Sequence, residues 1–162
     1  MGTSTYDKAA ATVRSSPTAG GRDDRELIRL ASLAASSHNT QPWLFERASG
    51  SILIRPDRSR RCPVVDPEDA HLYRSLGCAA ENLIHAASLQ QLQTTVWFDE
   101  SLDAVVIDLE HAPEVEPTEL SAALTTRQCT RTVHDGRPVP DAQTGPGSRA
   151  RRASLRCCSA WR

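Results

Sequence analysis

The spacing of apolar residues along this chain changes period several times, and each change marks an element. Behind Asp23 and Asp24, which suit an N-cap and an acidic first turn, Leu27, Ile28, Leu30, Ala31 and Ala34 recur at helical spacing. They predict an amphipathic helix of about three turns. The small and polar residues 36–40 then favour turns and side-chain bonds to backbone, so a loop precedes Gln41-Pro42-Trp43. β-Prone runs at 43–46 and 51–55 flank Ala48-Ser49-Gly50, which predicts a hairpin. The stretch 56–67, dense in charge and proline, predicts a surface connection.

From Pro67-Glu68-Asp69 a long helical pattern runs through Leu72, Leu76, Ala79, Leu83, Ala86, Ala87 and Leu89, covering about 68–90. Gly77, Ala79 and Ala80 thin part of it, which suits a helix at the centre of a domain. Two β-prone runs, 94–98 and 104–110, are broken by Asp99, Glu100, Ser101 and Asp103 and predict a second hairpin. A short helix is expected from Glu116 through Leu120 and Leu124, running into 125–131. The two ends carry no such period. Residues 1–21 are rich in Ser, Thr, Ala and Gly and predict a disordered leader. Residues 141–162 hold arginines, paired cysteines and little to bury, and read as a disordered or off-frame basic tail, as a truncated or frameshifted chain would give. The domain is therefore expected at 22–140.

Composition narrows the class. With 162 residues, 39% hydrophobic and 24% charged, the chain suits one soluble domain able to bury a core without metal or disulfide staples. Aromatics make up 4%, which leaves that core to Leu, Val, Ile and Ala. No stretch approaches the roughly 20 apolar residues of a membrane span, and the first residues lack the apolar region of a secretory signal, so a cytoplasmic location is expected. A net charge of -1 supplies no general field for nucleic acid. The 5 cysteines show no C-x-x-C pair and the histidines no H-x-x-x-H, which disfavours zinc and disulfides, and Cys78 reads as a thiol packed on an apolar helix face. Neither G-x-G-x-x-G nor G-x-x-x-x-G-K-[ST] occurs. The arginines of Asp57-Arg58-Ser59-Arg60-Arg61 lack interleaved aromatics and suit solubility or nonspecific attraction.

The most informative stretch is 36–45, SSHNTQPWLF. Asn39 and Gln41 each offer an amide donor and acceptor, Ser36 and Ser37 offer hydroxyls, and Pro42 stiffens the backbone before Trp43. Such a loop suits the rim of a planar heterocycle such as a flavin, whose electronics a protein tunes by hydrogen bonds at its edge. Composition alone favours the plainer reading, a capped helix end with a tryptophan plugging the core.

That segment resembles the A-P-S-x-x-N-x-Q-P-W signature of the FMN-dependent nitroreductase family. His38-Asn39-Thr40-Gln41-Pro42-Trp43 is similar to the H-N-[ST]-Q-P-W form of its Acg-type branch of NAD(P)H nitroreductases. Asp57-Arg58-Ser59-Arg60, Asp66-Pro67, Leu76-Gly77-Cys78-Ala79-Ala80 with Asn82-Leu83, and Arg137-Pro138-Val139-Pro140 resemble further landmarks of that branch in order. Two positions depart from the pattern. Ala35 stands where the family has proline, and Arg127-Gln128-Cys129-Thr130-Arg131-Thr132-Val133-His134 keeps only the outer arginines of R-R-T-[DN]-R-x-P-F.

The resemblance covers about 23–140 and implies an α+β sandwich of helices around a mainly antiparallel sheet, incomplete here because only the first half of an Acg-type chain is matched. It implies FMN held by Ser36, Asn39, Gln41, Pro42, Trp43, Leu44 and Phe45, with Arg22, Arg25 and Arg29 as phosphate anchors unless they only form a solvated helix face. It implies an oxidoreductase in which hydride passes from NAD(P)H through the flavin to a small-molecule electron acceptor, a nitroaromatic or quinone, with no side-chain nucleophile required. A homodimer would rebuild the missing wall of the flavin site. A non-catalytic flavin-binding or flavin-sequestering module, and an inactive fragment, are the other readings.

Overall fold

Two antiparallel hairpins and one long helix make the frame of this computed structural model, which describes residues 5–17 and 21–128, all within a unit spanning Met1–Cys129. The elements in order are α1 (Thr5–Val13), α2 (Asp24–Ala31), β1 (Trp43–Arg47), β2 (Ser51–Pro56), α3 (Ala70–Ser88), β3 (Leu92–Asp99), β4 (Ala104–His111) and α4 (Glu119–Ala123), with short 3-10 turns at Ser37–Asn39 and Arg58–Arg60. Helices and an antiparallel sheet are thus mixed in one α+β unit.

The sheet order is β1-β2-β4-β3, antiparallel throughout. β1 turns into β2 over Ala48-Ser49-Gly50, where Gly50 adopts a φ of 85° that a side chain would resist. The hairpins join at a seam between β2 and β4, with Ser51 opposite Asp108 and Ile54 opposite Val105. A side-chain bond between the Ser51 hydroxyl and the Asp108 carboxylate marks one end of that seam.

Alternation along the strands puts Trp43, Ile52, Ile54, Ile107 and Leu109 on one face, and α3 packs there through Leu72, Leu76, Ala79, Leu83 and Ala86. Leu27, Leu30 and Ala31 of α2 close the same core. The opposite face carries a small cluster, Leu53, Ala104 and Val106. Arg55 crosses beside it, paired with Glu46 at 2.8 Å and donating to the Leu102 carbonyl.

The ends of α2 and α3 show how side chains set element boundaries. Asp23 caps α2 by accepting from the Arg25 and Glu26 backbone N–H groups, and its own N–H donates to Gln90 Oε1 at 2.7 Å. For α3 the cap position is Asp69, but Asp66 does the capping: its Oδ2 accepts from the N–H groups of His71 and Leu72 at 2.9 and 3.0 Å. Burial of Asp66 opposes its charge, and those backbone bonds outweigh it and hold its carboxyl below the ordinary range.

Two expectations change. The stretch 1–21, expected as a disordered leader, contains the helix α1. The run Ala9-Ala10-Ala11 favours helix, and distant groups fasten its end: Arg29 donates to the carbonyls of Val13 and Ser15, and Arg14 to those of Thr125 and Arg127. Cys78 is exposed rather than packed, because the buried stripe of α3 runs through Leu76, Ala79, Ala80 and Leu83 and leaves position 78 outside it. Exposure along α3 is confined to positions 70, 71, 74, 77, 78 and 81, while every residue of 82–88 is buried or half-buried. The expected tail at 141–162 and the Arg137–Pro140 landmark, as well as the motif from Cys129 onward, lie outside the described residues.

Candidate functional site

The loop between α2 and β1 departs furthest from ordinary backbone geometry. His38, Asn39 and Gln41 have φ values of 51°, 57° and 51°, while Thr40 between them is right-handed at -71°. Asn tolerates the left-handed region; His and Gln do so at a cost of roughly 1 kcal/mol each. Bonds on every side impose it. The Ser37 N–H donates to Ser75 Oγ of α3 at 3.1 Å, and that hydroxyl donates in turn to the His71 carbonyl at 2.7 Å. The Gln41 N–H donates to Ser36 Oγ at 3.0 Å, Thr40 Oγ1 donates to the Ser37 carbonyl at 2.9 Å, and the Asp57 N–H donates to the Pro42 carbonyl at 3.0 Å.

With the backbone so fixed, the carboxamides of Asn39 and Gln41 form no hydrogen bond among the described residues, and both side chains face solvent. The other residues of the flavin set divide among different surroundings. Ser36 spends its hydroxyl on the loop itself. Pro42 is fully buried and Trp43 is 9% exposed in the core, where its ring lies 6.5 Å from that of half-buried Phe45. Leu44 is 53% exposed and, by strand alternation, points from the opposite face of the sheet. The loop therefore presents polar rim groups, while its aromatics belong to the core and supply no outward stacking wall.

The three arginines expected to anchor a phosphate also separate. Arg29 is committed to Glu26 at 2.6 Å and to the end of α1. The Glu26 carboxylate, chiefly by its hydrogen bond, raises the Arg29 pKa further. Arg22 pairs with Asp24 at 2.7 Å and donates to the Gly50 carbonyl. Arg25 has no side-chain partner among the described residues. Arg22 and Arg25, with Asp23, Asp24 and Arg47, line an open groove of about 310 Å3. It lies at the turn end of the β1–β2 hairpin, where Arg47 stands four residues, roughly 13 Å, along the strand from Trp43.

The basic group that reaches the loop is Arg60, which composition alone had placed in a solubility cluster. It donates to the Thr40 carbonyl at 3.3 Å while pairing with Asp57 at 3.1 Å. The Ser59 hydroxyl, followed by the Ser59 N–H and Arg60, keeps the Asp57 carboxyl below its ordinary value. Behind it, Arg58 binds Asp69 at 3.1 Å, Asp103 at 2.7 Å and Tyr73 Oη at 2.9 Å, and Tyr73 Oη donates to Asp103 at 2.7 Å. Arg61 completes the cluster on Asp69 at 3.0 Å. The hydrogen bond from Tyr73, then that from Arg58, depresses the Asp103 pKa, and the bond to Asp103 raises that of Tyr73. With each polar group already paired, the cluster acts as a clamp between the 58–61 turn, α3 and the β3–β4 turn.

Among the described residues no three His, Cys, Asp or Glu side chains converge into a metal site, and no helix is long and apolar enough to cross a membrane. Compared with known proteins, the chain matches no family model and no curated protein.

Proposed function

We propose that this chain carries the rim-binding part of an FMN site of nitroreductase type, within a helix-and-sheet sandwich of that family, and that its lineage is that of an NAD(P)H-dependent oxidoreductase acting on a nitroaromatic or quinone. The observation that carries the reading is the pair of unengaged carboxamides, Asn39 and Gln41, on a backbone strained into the left-handed region and braced from α3. Strain maintained by so many bonds is characteristic of a segment shaped for a ligand. Each carboxamide presents one donor and one acceptor group, which fits the alternating acceptor, donor and acceptor atoms along the pyrimidine edge of a flavin.

FMN, when bound, supplies the acceptance of hydride from a nicotinamide and its delivery to the second substrate. The role of this chain's residues is narrower. Asn39 and Gln41 fix the orientation of the ring edge, Ser75 and Ser36 hold the loop that bears them, and Arg60, paired with Asp57, ties the 58–60 turn to the loop through the Thr40 carbonyl. Trp43 and Phe45 support this arrangement from the core. The ring faces need cover from elsewhere, so a second surface completes the site.

The visible spectrum of the purified chain, with FMN added, tests this. A bound flavin spectrum that bleaches with NADPH supports the oxidoreductase, and one that does not bleach supports a binding module without catalysis. Absence of binding rejects both. Asn39→Ala and Gln41→Ala are each expected to weaken FMN binding by roughly tenfold, the effect of one or two lost hydrogen bonds.

A further inference from the structure

The two carboxamides of the α2–β1 loop are held from different sides. Asn39 closes the 3-10 turn Ser37–Asn39, which is seated on α3 through the Ser37–Ser75 bond, and its N–H donates to the Ser36 carbonyl at 3.1 Å. Gln41 lies beyond that turn, and what fixes it comes from the segment after β2. The peptide group joining Thr40 to Gln41 is gripped at both ends. Its carbonyl accepts from Arg60 Nη1 at 3.3 Å, and its N–H donates to Ser36 Oγ at 3.0 Å. A peptide group is planar, so holding both ends fixes its tilt, and with it the φ of 51° at Gln41.

The grip continues past Gln41. The Pro42 carbonyl accepts from the Asp57 N–H at 3.0 Å, and Asp57 Oδ2 pairs with Arg60 Nε at 3.1 Å. One turn, 57–60, therefore holds the backbone on both sides of Gln41, while among the described residues it makes no hydrogen bond to Asn39. That turn is itself tied to the start of α3, where Arg58 and Arg61 pair with Asp69 at 3.1 and 3.0 Å. Two elements thus present the two amides: α3 sets Asn39 and the 57–60 turn sets Gln41.

We propose that Arg60, with Asp57, is a positioning residue for Gln41 that sets the spacing between the two carboxamides and so selects ligands with hydrogen-bonding groups at two separated points of a rigid planar rim. A ligand that meets one carboxamide only does not register this spacing. The consequence for binding rests on reading the loop as a flavin rim; the control of Gln41 by Arg60 does not. Arg60 is 54% exposed, and without it Asp57 keeps its bonds from the Ser59 hydroxyl and N–H, so Arg60→Ala leaves neither a core cavity nor an unpaired buried charge.

Amide hydrogen exchange on the full chain without flavin reads the control directly. In Arg60→Ala the Gln41 and Trp43 amides are expected to exchange roughly tenfold faster, while those of Ser37 and of the β1–β2 ladder keep their parent rates. FMN titration then reads the consequence through double-mutant cycles. Arg60→Ala is expected to weaken binding by roughly fivefold in the parent and in the Asn39→Ala background, and by less than about twofold in the Gln41→Ala background, where nothing remains for it to position. Unchanged exchange at Gln41, or equal losses in the two backgrounds, would overturn the proposal, since a general structural role predicts additivity in both. A parent chain that binds no FMN removes the flavin reading and the selection of a planar rim with it, and the exchange rates alone then decide whether Arg60 sets Gln41.

Discussion

Gln41 shows how a single residue can serve the site at the expense of the fold. Its left-handed backbone disfavours any side chain with a Cβ, yet its carboxamide is one of the two that the loop presents outward. Gln41→Gly is therefore expected to raise unfolding stability by about 1 kcal/mol while weakening FMN binding. Chemical denaturation and flavin titration of the same sample check the two halves, and a loss of stability would reject the strain argument. Ser75 acts in the other direction. Ser75→Ala removes the acceptor for the Ser37 N–H and is expected to cost about 1–2 kcal/mol, with faster amide exchange at Ser37 as the local signature.

The Tyr73–Asp103 bond adds a pH dependence with a sign on each side. Asp103, depressed by Tyr73 and Arg58, contributes stability that is full above its unfolded value near about 4 and is lost as pH falls through its lower folded value. Tyr73, raised by Asp103, contributes stability that is full below about 10 and is lost as pH rises through its higher folded value. Denaturation curves across pH should show Asp103→Asn flattening both limbs relative to the parent chain. Equal slopes in the two proteins would remove the bond from the account.

At the scale of elements, α3 organises the core. Leu83 is fully buried at its contact with the sheet and α2, so Leu83→Ala is expected to cost about 2–5 kcal/mol, read from the denaturation midpoint. Both hairpins and α2 and α3 were legible in the sequence, because period and turn chemistry are local: Ala48-Ser49-Gly50 marks its turn and Asp23 its cap without reference to anything distant. α1 was not, since what fastens it comes from Arg29 and from the carbonyls of Thr125 and Arg127. Cys78 was misplaced because apolar neighbours were taken for its own environment, and only its angle around the helix decides. In the loop, the polar residues could be read but not their left-handed backbone. Arg60 had no local signal beyond a basic run, and its bond to the Thr40 carbonyl depends on the turn after β2 folding back.

At the scale of the whole described unit, β1 and β3 are the two edges of the sheet, and β3 is the longer. Its eight residues pair continuously with β4, with no bulge or proline, and Val96, Trp97 and Phe98 are 39%, 42% and 47% exposed. A long regular edge of this kind can template pairing with other chains. Thr95→Lys, on the exposed side of β3, is expected to slow aggregation on heating while changing stability by less than about 0.5 kcal/mol. Turbidity at matched denaturation midpoints is the check, and an unchanged rate would exclude this edge as the nucleus.

The seam between β2 and β4 also sets an order of events during synthesis. Ser51 leaves the ribosome 57 residues before the Asp108 it will meet. At about 5–20 residues per second, the first hairpin waits roughly 3–11 seconds with its inner margin unpartnered. During that interval the nascent chain depends on chaperones or on the emerging helix to shield Ile52 and Ile54, so slowing translation across 57–104 should lower the yield of native protein even though every codon still specifies the same residue.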